Sequence, residues 1–397
     1  MQRDEADAYE ERGVGVSASK PEVRRALEGF DQGLFPGAFC KAVPDIIGGS
    51  PGHCVVMHAD GVGTKSAIAY IHYRRHGDPK IFRSLAQDSL VMNLDDLLCV
   101  GCTGPFVFSN TIGRNSKRIP GEVVREIIRG YEEFSEQLRP HGVELASCGG
   151  ETADLGDLVR TLVIDSSITA RMRRDDFIDC SGVAPGHAIV GLASSGQASY
   201  ETDWNSGIGT NGFTALRHLL FKSEYREEFP ETYASEISEA AYRGRHDIDD
   251  VLRGTRRRLG EACLSPARTY APVMLPMLRN CRPHISAIFH NTGGGQTKCL
   301  NFGKNVKYVK DNLFPAPPLI KYLQSETDLT AREMAQIFNM GHRMEVVCDP
   351  KAVADIIAIA AGFGVEAKVI GRVERSSGRS LTIYISHQRC EFHAADS

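Results

Sequence analysis

Residues 54–65 read CVVMHADGVGTK, and this stretch predicts the start of an α/β fold. Its apolar half (CVVMH) is typical of a buried strand, which runs into an acid and two glycines. The carboxylate of Asp60 suits a metal ion, and Gly61 and Gly63 let backbone N–H groups approach phosphate oxygens closely. Lys65 adds a positive charge, so the segment indicates a contact with magnesium and a triphosphate. A plain β-turn with a solvated lysine is the alternative.

The composition is that of a globular protein with two domains. The 397 residues are 42% hydrophobic and 24% charged, with a formal net charge of −4. Because nucleic-acid binding needs a positive surface, this charge argues against it. No apolar run is long enough to cross a bilayer, and no signal segment opens the chain, so we expect no membrane contact. Eleven scattered cysteines fit reduced thiols, which predicts a cytoplasmic location.

The order of predicted elements indicates two α/β units. The first half is rich in strands and has two long helices at 82–100 and 121–138, whereas strands and helices alternate in the second half. Charges, glycine and proline cluster at 173–185, which predicts a domain boundary there. Residues 223–258 are strongly charged with few large apolar residues, so we predict a partly helical insertion at the surface.

Three acids interrupt the otherwise apolar helix predicted at 82–100. Positions seven apart on a helix differ by about 20° in direction, so Asp88 and Asp95 share one face. Asp96 lies about 80° away from Asp88 on the same helix. Acids in apolar surroundings repel each other and lose hydration, and a cation between them removes both penalties. The pattern therefore indicates metal ligation, with a solvent-facing acidic stripe as the alternative.

A second glycine loop repeats the pattern of the first. A predicted strand at 143–147 runs into Gly149-Gly150-Glu151-Thr152, which again combines glycines with an acid and a hydroxyl. By the same reasoning Gly149, Gly150 and Thr152 suit a nucleotide, and Glu151 suits a metal ion. An ordinary junction between a strand and a turn is the alternative.

A third loop, Thr292-Gly-Gly-Gly295, follows a predicted strand at 284–290. Its free N–H groups can hold an anion. His290 ends the strand and is a candidate phosphate donor or proton-transfer group. A purely structural histidine is the alternative.

Seven motifs follow one another in a characteristic order. They read Asp60-Gly-Val-Gly-Thr-Lys65, Asp95-Asp96, Gly149-Gly-Glu-Thr152, Thr210-Asn-Gly212, Ser265-Pro-Ala-Arg-Thr-Tyr270, His290-x-Thr-Gly-Gly-Gly295 and Phe338-Asn-Met-Gly341. Together they resemble the phosphoribosylformylglycinamidine cyclo-ligase family, also called AIR synthetases, over nearly the whole chain from about Tyr9 to Val373. Members of the wider superfamily use ATP.

This resemblance implies a fold and a reaction. The N-terminal domain (1–174) would supply strands to a β-barrel shared across a homodimer, and the C-terminal domain (175–397) would be an α/β sandwich carrying the insertion. ATP would lie in a cleft near the dimer interface. The enzyme would convert formylglycinamidine ribonucleotide and ATP to aminoimidazole ribonucleotide, ADP and phosphate, with Mg2+ as cofactor.

The resemblance also implies roles for residues of the motifs. The magnesium ligands would be Asp60, Asp96 and Glu151, with Asp88 or Asp95 in support. The nucleotide would contact Gly61, Gly63, Thr64, Lys65, Gly149, Gly150 and Thr152. The substrate would contact Asn211, Thr292, Gly293, Gly294 and Gly295. Lys65 and His290 would be catalytic, the first on phosphates and the second as an acid–base candidate.

Two departures from the family pattern leave part of this hypothesis open. The usual Asn-Asp pair reads Asp95-Asp96, which adds a negative charge. The usual run Ser-Gly-Pro-His-Ser-Asn-Gly is interrupted by fourteen residues between Gly196 and Asn211, and its histidine is missing. The contacts to the substrate phosphate that this run carries are therefore open.

Three other classes of protein remain as alternatives. A superfamily member with a different acceptor, such as a formylglycinamidine ribonucleotide synthetase or a selenophosphate synthetase, would use the same loops. A non-catalytic scaffold would have no reason to keep buried acids without a cation. A nicotinamide oxidoreductase is indicated only by G-x-G-x-x-G at 207–212, which no predicted strand precedes.

Overall fold

The computed structural model describes residues 25–26 and 28–394 of the chain. The fold is mixed α/β, as the sequence predicts, and has two separate β-sheets with helices packed on them. The part of the family resemblance that precedes residue 25 lies outside the described residues. Within the described residues, no helix is long and apolar enough to cross a membrane.

The first sheet has five strands in the order β1-β2-β5-β3-β4. These strands are β1 (Ala42–Pro44), β2 (His53–Gly61), β3 (Phe106–Arg114), β4 (Leu145–Asp154) and β5 (Leu162–Arg173). The β3–β4 pair is parallel, and the other pairs are antiparallel. The sequence patterns predict strands at 54–58 (β2), 143–147 (β4) and 161–172 (β5). They miss the three-residue β1, and they miss β3 because its polar centre (SNT) hides the strand pattern.

Two long helices cover one face of this sheet. Helix α1 (Lys65–His76) follows the first glycine loop, and it is succeeded by α2 (Arg83–Cys99) and α3 (Gly121–Leu138). The predictions of long helices at 82–100 and 121–138 are therefore confirmed. Helix α3 is amphipathic and buries Ile127 and Phe134, because these positions recur on one side of a helix.

The opposite face of the first sheet is open. Side chains alternate between buried and accessible along β5, and β4 forms a sheet edge that is largely accessible on both sides. Met57 and Val163 on this face are 58% and 44% exposed. No closed β-barrel occurs within the described residues of a single chain, so the barrel implied by the family would need strands from a second chain.

The second sheet has seven strands in the order β12-β11-β8-β10-β6-β9-β7. These strands are β6 (Ala188–Ala193), β7 (Ile285–His290), β8 (Val306–Lys310), β9 (His342–Cys348), β10 (Ala367–Arg375), β11 (Ser380–Ile385) and β12 (Gln388–His393). The sequence patterns predict strands at 188–193, 284–290, 343–348, 366–370 and 381–385, which correspond to β6, β7, β9, β10 and β11. They miss β8 and β12, which are short and contain charges. The domain boundary predicted between 174 and 175 lies between β5 and β6 and stays a prediction.

Helices and short turns surround the second sheet. The helices are α4 (Phe213–Leu220), α5 (Tyr225–Glu228), α6 (Leu259–Leu264), α7 (Ala271–Cys281), α8 (Pro318–Glu326), α9 (Ala331–Ile337) and α10 (Val353–Gly362). The sequence pattern also predicts a helix at 265–278, but α7 begins only at Ala271, because the extended segment before it contributes its backbone to the interior.

The prediction that 223–258 is a surface insertion is only half right. Its charges do reach the surface, but its aromatic and aliphatic side chains form a small core of their own. The buried members are Tyr225, Phe229, Tyr242, Ile248 and Leu252. Three of them meet edge to face, with the Tyr225 ring centroid 5.5 Å from Phe229 and 5.7 Å from Tyr242. The segment is therefore a packed element of the fold.

Candidate active site

Helix α2 lies at the centre of the molecule and carries the predicted acids. It contacts β2 and β5 of the first sheet, and β7 and α7 of the second unit. Fourteen of its 17 residues are buried, including Asp88, Asp95 and Asp96. The alternative of a solvent-facing acidic stripe is therefore wrong. Three buried carboxylates need partners, and each of them has a different one.

Asp88 pairs with Lys65 instead of a metal ion. The ammonium Nζ lies 2.8 Å from Asp88 Oδ2 and donates to the carbonyls of Ser265 at 2.7 Å and Gly209 at 3.2 Å. Both side chains are completely buried. Burial lowers the pKa of Lys65, and the charge of Asp88 opposes this change. In this structure the ammonium joins both halves of the chain and is inaccessible to solvent, in contrast to the predicted phosphate contact.

Asp95 is satisfied by the segment that precedes α7. Its Oδ1 accepts from the Thr269 hydroxyl at 2.7 Å, and the N–H of Tyr270 lies 3.2 Å from Oδ2. Burial raises the pKa of Asp95 to about 7, although the positive charge of Arg343 opposes the rise. Asp88 and Asp95 thus share a helix face as predicted, but protein groups take the place of the cation expected between them.

Asp96 joins two histidines. Its Oδ1 lies 2.6 Å from His290 Nδ1, and its Oδ2 lies 3.2 Å from His58 Nε2. Burial alone raises the pKa of Asp96, but the hydrogen bond and charge of His290, with the charge of His58, outweigh it and hold this pKa below its usual range. Sequence reasoning missed His58, although it lies two residues before Asp60.

His290 has both ring nitrogens engaged. Arg343 Nη2 lies 3.1 Å from His290 Nε2, so Nε2 accepts and the Nδ1–H donates to Asp96. Burial lowers the pKa of His290 to about 4, so the ring is neutral at pH 7. The ring is fully buried. This arrangement suits a residue that orients Asp96 better than one that exchanges protons with a substrate.

Asp60 is the next-to-last residue of strand β2. Its Oδ1 accepts from the Gly61 N–H at 2.7 Å. Its pKa is raised, first by loss of hydration and also by the charge of Asp96. A side-chain carbon at Gly61 would stand 2.5 Å from the backbone carbonyl oxygen of Ile164 and 1.8 Å from Asp165 Oδ1, so close packing against β5 requires glycine there. The alternation of β5 turns Asp165 outward, a signal that sequence reasoning did not use.

Glu151 lies across the first sheet from Asp60. The register pairs Gly61 with Asp165, Asp165 with Thr111, and Thr111 with Glu151. Three strand spacings separate Gly61 from Glu151, which is roughly 14 Å. Within the described residues, no group of three or more His, Cys, Asp or Glu side chains is placed to hold a metal ion. Asp60 and Asp96 suit a magnesium ion that keeps water and phosphate ligands, and Glu151 of the same chain does not join them.

The prediction of a second glycine loop at 149–152 is wrong, because strand β4 continues through these residues, which line a recess between α3 and β4. The cavity has a volume of about 500 Å3, and its walls include Asn110, Tyr131, Gly149, Gly150 and Thr152. This volume is within the range of sites for small molecules. The predicted nucleotide residues of this strand segment therefore line a cavity, whereas Gly63 and Thr64 lie exposed at the other site.

Two helix N-termini meet beside Asp60. Thr64 precedes α1 and Thr214 is the second residue of α4, and their hydroxyl oxygens are 2.9 Å apart. Helix N-termini carry partial positive charge and free N–H groups, so their meeting favours an anion. The amide Nδ2 of Asn211 lies 3.9 Å from the position that a Gly293 side-chain carbon would take, which brings the third loop to the same place.

The third loop adds a cation to this junction. Lys298 Nζ lies 3.5 Å from the Thr292 hydroxyl. Gly294 and Gly295 have φ angles of 87° and 51°, a region that favours glycine, and a side chain at Gly295 would stand 2.5 Å from the carbonyl oxygen of Ala335. Neither Lys298 nor Thr214 was predicted, because a lone lysine and a lone threonine carry no local pattern.

Asn211 lies at the site even though fourteen extra residues separate it from Gly196. Residue Glu201 within the extra fourteen residues pairs with the buried Arg268, through bonds of 2.9 Å and 2.6 Å. Asn339 donates to the carbonyls of Gly207 and Ile208 at 2.8 Å and 3.2 Å. These bonds hold the extra residues against Arg268 and Asn339, so that Asn211 still lies just before α4. No strand leads into 207–212, since β6 ends at Ala193, so the oxidoreductase alternative lacks its structural context.

The fold and the site together define a class of protein. It is a two-sheet α/β protein whose central helix presents buried acids to loops suited to anions. The sequence matches the AIR synthase related protein N-terminal domain over residues 41–172 and the AIR synthase related protein C-terminal domain over residues 184–383. The chain belongs to this AIR synthase related family, which confirms the resemblance seen in its motifs.

Two relatives show what the chain is similar to in sequence. The phosphoribosylformylglycinamidine cyclo-ligase of Methanocaldococcus jannaschii is 28% identical over 319 residues, which is 80% of this chain and 78% of that protein. The phosphoribosylformylglycinamidine cyclo-ligase of Staphylococcus aureus (strain bovine RF122 / ET3-1) is 26% identical over 396 residues, which is 95% of this chain and 98% of that protein.

Solved structures share the fold at low identity. T. maritima PurL complexed with FGAR is 14% identical with a TM-score of 0.54, covering 97% of this chain and 52% of that one. The chain thus spans about half the length of that protein. A chain of the HypE–HypF complex is 12% identical with a TM-score of 0.53, covering 95% of this chain and 99% of that one.

Proposed function

We propose that this chain is an ATP-dependent cyclo-ligase that converts formylglycinamidine ribonucleotide to aminoimidazole ribonucleotide, with release of ADP and phosphate. The observation that carries the proposal is the junction of two helix N-termini at Thr64 and Thr214, beside the acids Asp60 and Asp96. Such a junction favours phosphate groups, and the acids suit the cation that accompanies them. The names of the two cyclo-ligase relatives support the same reaction.

The reaction asks the protein mainly to bind and orient. An amide oxygen is a poor leaving group, so the γ-phosphoryl group of ATP is transferred to the formyl oxygen. A nitrogen of the substrate then attacks the same carbon, phosphate leaves with that oxygen, and the five-membered ring closes. Ring closure is intramolecular, so orientation contributes much of the acceleration. Magnesium, when bound by Asp60 and Asp96, neutralises charge on the outer phosphates.

The residues around Asp96 keep its carboxylate in place. His290 and His58 each engage one oxygen, and Arg343 holds His290 in the tautomer that donates to Asp96. A carboxylate that is fixed in this way needs no reorganisation when phosphates arrive. We therefore assign His290 a positioning role. Asn211, Thr292 and the N–H groups of residues 293–295 hold the substrate phosphate in this proposal.

A homodimer would complete the nucleotide site. One face of the first sheet is open, and the ten-residue edge strand β4 has an unpaired side, a feature that monomeric proteins avoid. Glu151 lies roughly 14 Å from Gly61 in one chain by strand spacing. A second copy that closes a barrel on this face would bring its own Glu151, and the recess at Gly149, to the Asp60 loop of the first copy.

All eleven cysteines are free, which supports a reducing compartment such as the cytoplasm.

The proposed reaction is tested by ADP release. Purified protein with Mg2+ and ATP is expected to release ADP only when formylglycinamidine ribonucleotide is added, with aminoimidazole ribonucleotide formed in equal amount. If turnover requires a different acceptor, the chain is instead an ATP-dependent superfamily member with another substrate. The absence of turnover with any acceptor would favour the non-catalytic scaffold. In an active enzyme, chelation of Mg2+ is expected to stop the reaction.

The shared site is tested by mixing two inactive variants. Asp60→Asn and Glu151→Gln are each expected to abolish turnover without unfolding the protein. If both residues serve one site across the interface, mixed dimers contain one intact site, and random mixing restores about a quarter of the wild-type activity. Thermal melts of each variant provide the control for folding. A mixture that stays inactive, although mass spectrometry detects mixed dimers, would contradict the shared site.

A further inference from the structure

We propose that residues 222–258, called here the clamp, hold helices α1 and α4 in the orientation that brings Thr64 to Thr214. The clamp would thus be a positioning element for the anion site. Its own contacts are seen in the structure, whereas its effect on catalysis rests on the proposed function. Nothing in the family motifs includes this segment.

The clamp forms ion pairs with the C-terminal end of α1. Arg75 Nη1 lies 2.9 Å from both oxygens of Asp247, and its Nη2 lies 2.9 Å from Glu228 Oε2. The Arg75 guanidinium also lies 5.2 Å from the ring centroid of Tyr225. One turn earlier, the Tyr70 hydroxyl donates to Glu231. Because Tyr70 is buried and Asp247 only 18% exposed on its side chain, these bonds are shielded from bulk water.

The clamp also contacts α4, through backbone groups and aromatic rings of the clamp. Arg217 donates to the carbonyl of Thr232 and lies 3.3 Å from the Tyr242 hydroxyl. The N–H of Tyr242 donates to His218 Nδ1 at 3.2 Å, and the two rings meet edge to face with centroids 5.0 Å apart. Arg217 and His218 are buried, so α4 cannot rotate without disrupting the clamp.

Further contacts fix the clamp to both domains. Glu231 also pairs with Arg118 of the first domain at 3.0 Å. On the other side Glu326 of α8 accepts from His246 Nε2 at 3.0 Å and pairs with Arg253 at 3.0 Å. The side chain of Glu326 is 3% exposed. The hydrogen bonds from Arg245 and His246 lower the pKa of Glu326 to about 2, so it stays charged at neutral pH.

A rigid helix transmits this restraint to the site. Helix α1 has 12 residues and is about 18 Å long, with Arg75 at one end and Thr64 just before the other. Buried side chains along α1, from Lys65 to Ile71, resist bending. A change of angle at Arg75 therefore moves Thr64, and with it the separation from Thr214.

The test compares Arg75→Met with Arg75→Lys and with a matched control, Arg372→Met. Arg372 also pairs with two acids, Asp311 and Glu374, but lies on β10 outside the clamp. Arg75→Met is expected to raise the KM for ATP and for the ribonucleotide about tenfold, with kcat changed less. Amide hydrogen exchange in α1 and α4 is expected to rise by a similar factor. Arg75→Lys is expected to recover part of both effects, and Arg372→Met to show neither.

Unchanged exchange in α1 and α4 of folded Arg75→Met would overturn the proposal. If Arg75→Met does not fold, Tyr70→Phe removes only the hydroxyl that donates to Glu231 and accepts from Arg74, and normal exchange and KM values in that variant would overturn the proposal equally. The exchange measurement needs no substrate. A wild-type protein that is inactive with the ribonucleotide therefore contradicts the proposed function, while the clamp is still tested by exchange.

Discussion

Replacing Asp96 by asparagine is expected to lower kcat/KM for ATP by about 10^3-fold or more, while the protein stays folded. The amide can still accept from His290, but it loses the negative charge that the proposed magnesium ion requires. It also presents an N–H group or a neutral oxygen to His58, where the carboxylate now lies 3.2 Å away. The measurement is steady-state ADP release with the ribonucleotide, together with a thermal melt.

Asp355→Asn provides the matched control for this variant. Asp355 is an exposed acid in the first turn of α10, outside the site, and we expect wild-type kinetics for it. An Asp96→Asn enzyme that keeps kcat/KM within about tenfold of wild type would contradict the central place given to this carboxylate. Loss of folding in Asp96→Asn would instead assign the carboxylate to stability, and Asp60→Asn would then carry the test of the metal site.

Replacing Lys65 by methionine is expected to destabilise the protein by about 3–5 kcal/mol, the usual result of removing one partner of a buried ion pair. The ammonium lies 2.8 Å from Asp88, and both side chains are inaccessible to water. Its loss leaves a buried carboxylate without a cation, and leaves the carbonyls of Ser265 and Gly209 without this donor. The measurement is the free energy of unfolding from urea titration.

A double variant separates this explanation from a phosphate contact. Lys65→Met combined with Asp88→Asn removes both charges and keeps an acceptor for the N–H of Ala267, so it is expected to recover most of the lost stability. The exposed Lys351→Met is the control and is expected to leave stability unchanged. If Lys65→Met is as stable as wild type but binds ATP weakly, the phosphate contact predicted from the sequence is right, and the stabilising role given to the buried Lys65–Asp88 pair is wrong.

Some elements of the fold follow from local patterns. Helix α3 was predicted with both ends correct, because its apolar residues recur at the helical period and a proline precedes it. Strand β6 was also predicted with both ends, since six buried apolar residues stand between breakers. Strand β3 was missed because the polar residues at its centre, Ser109 to Thr111, hide the strand pattern.

The candidate site was predicted in part. The sequence identified Asp60, Asp96 and His290 as members of one site, and the structure brings Asp96 into contact with His290. The sequence did not reveal that His58 and Arg343 complete this cluster, because neither residue belongs to a recognisable local pattern. The insertion was misjudged because its buried tyrosines are spread among charges, so no periodicity appears.

The sequence by itself determined the order of the motifs, the family to which they belong, and most helices and strands, because these depend on residues close together along the chain. Only the tertiary structure decided which carboxylate receives which partner. Lys65 meets a carbonyl 200 residues away, and Asp96 meets a histidine 194 residues away. Such pairs form because every buried charge needs the partner that the packed core places beside it, and no local pattern encodes that neighbour.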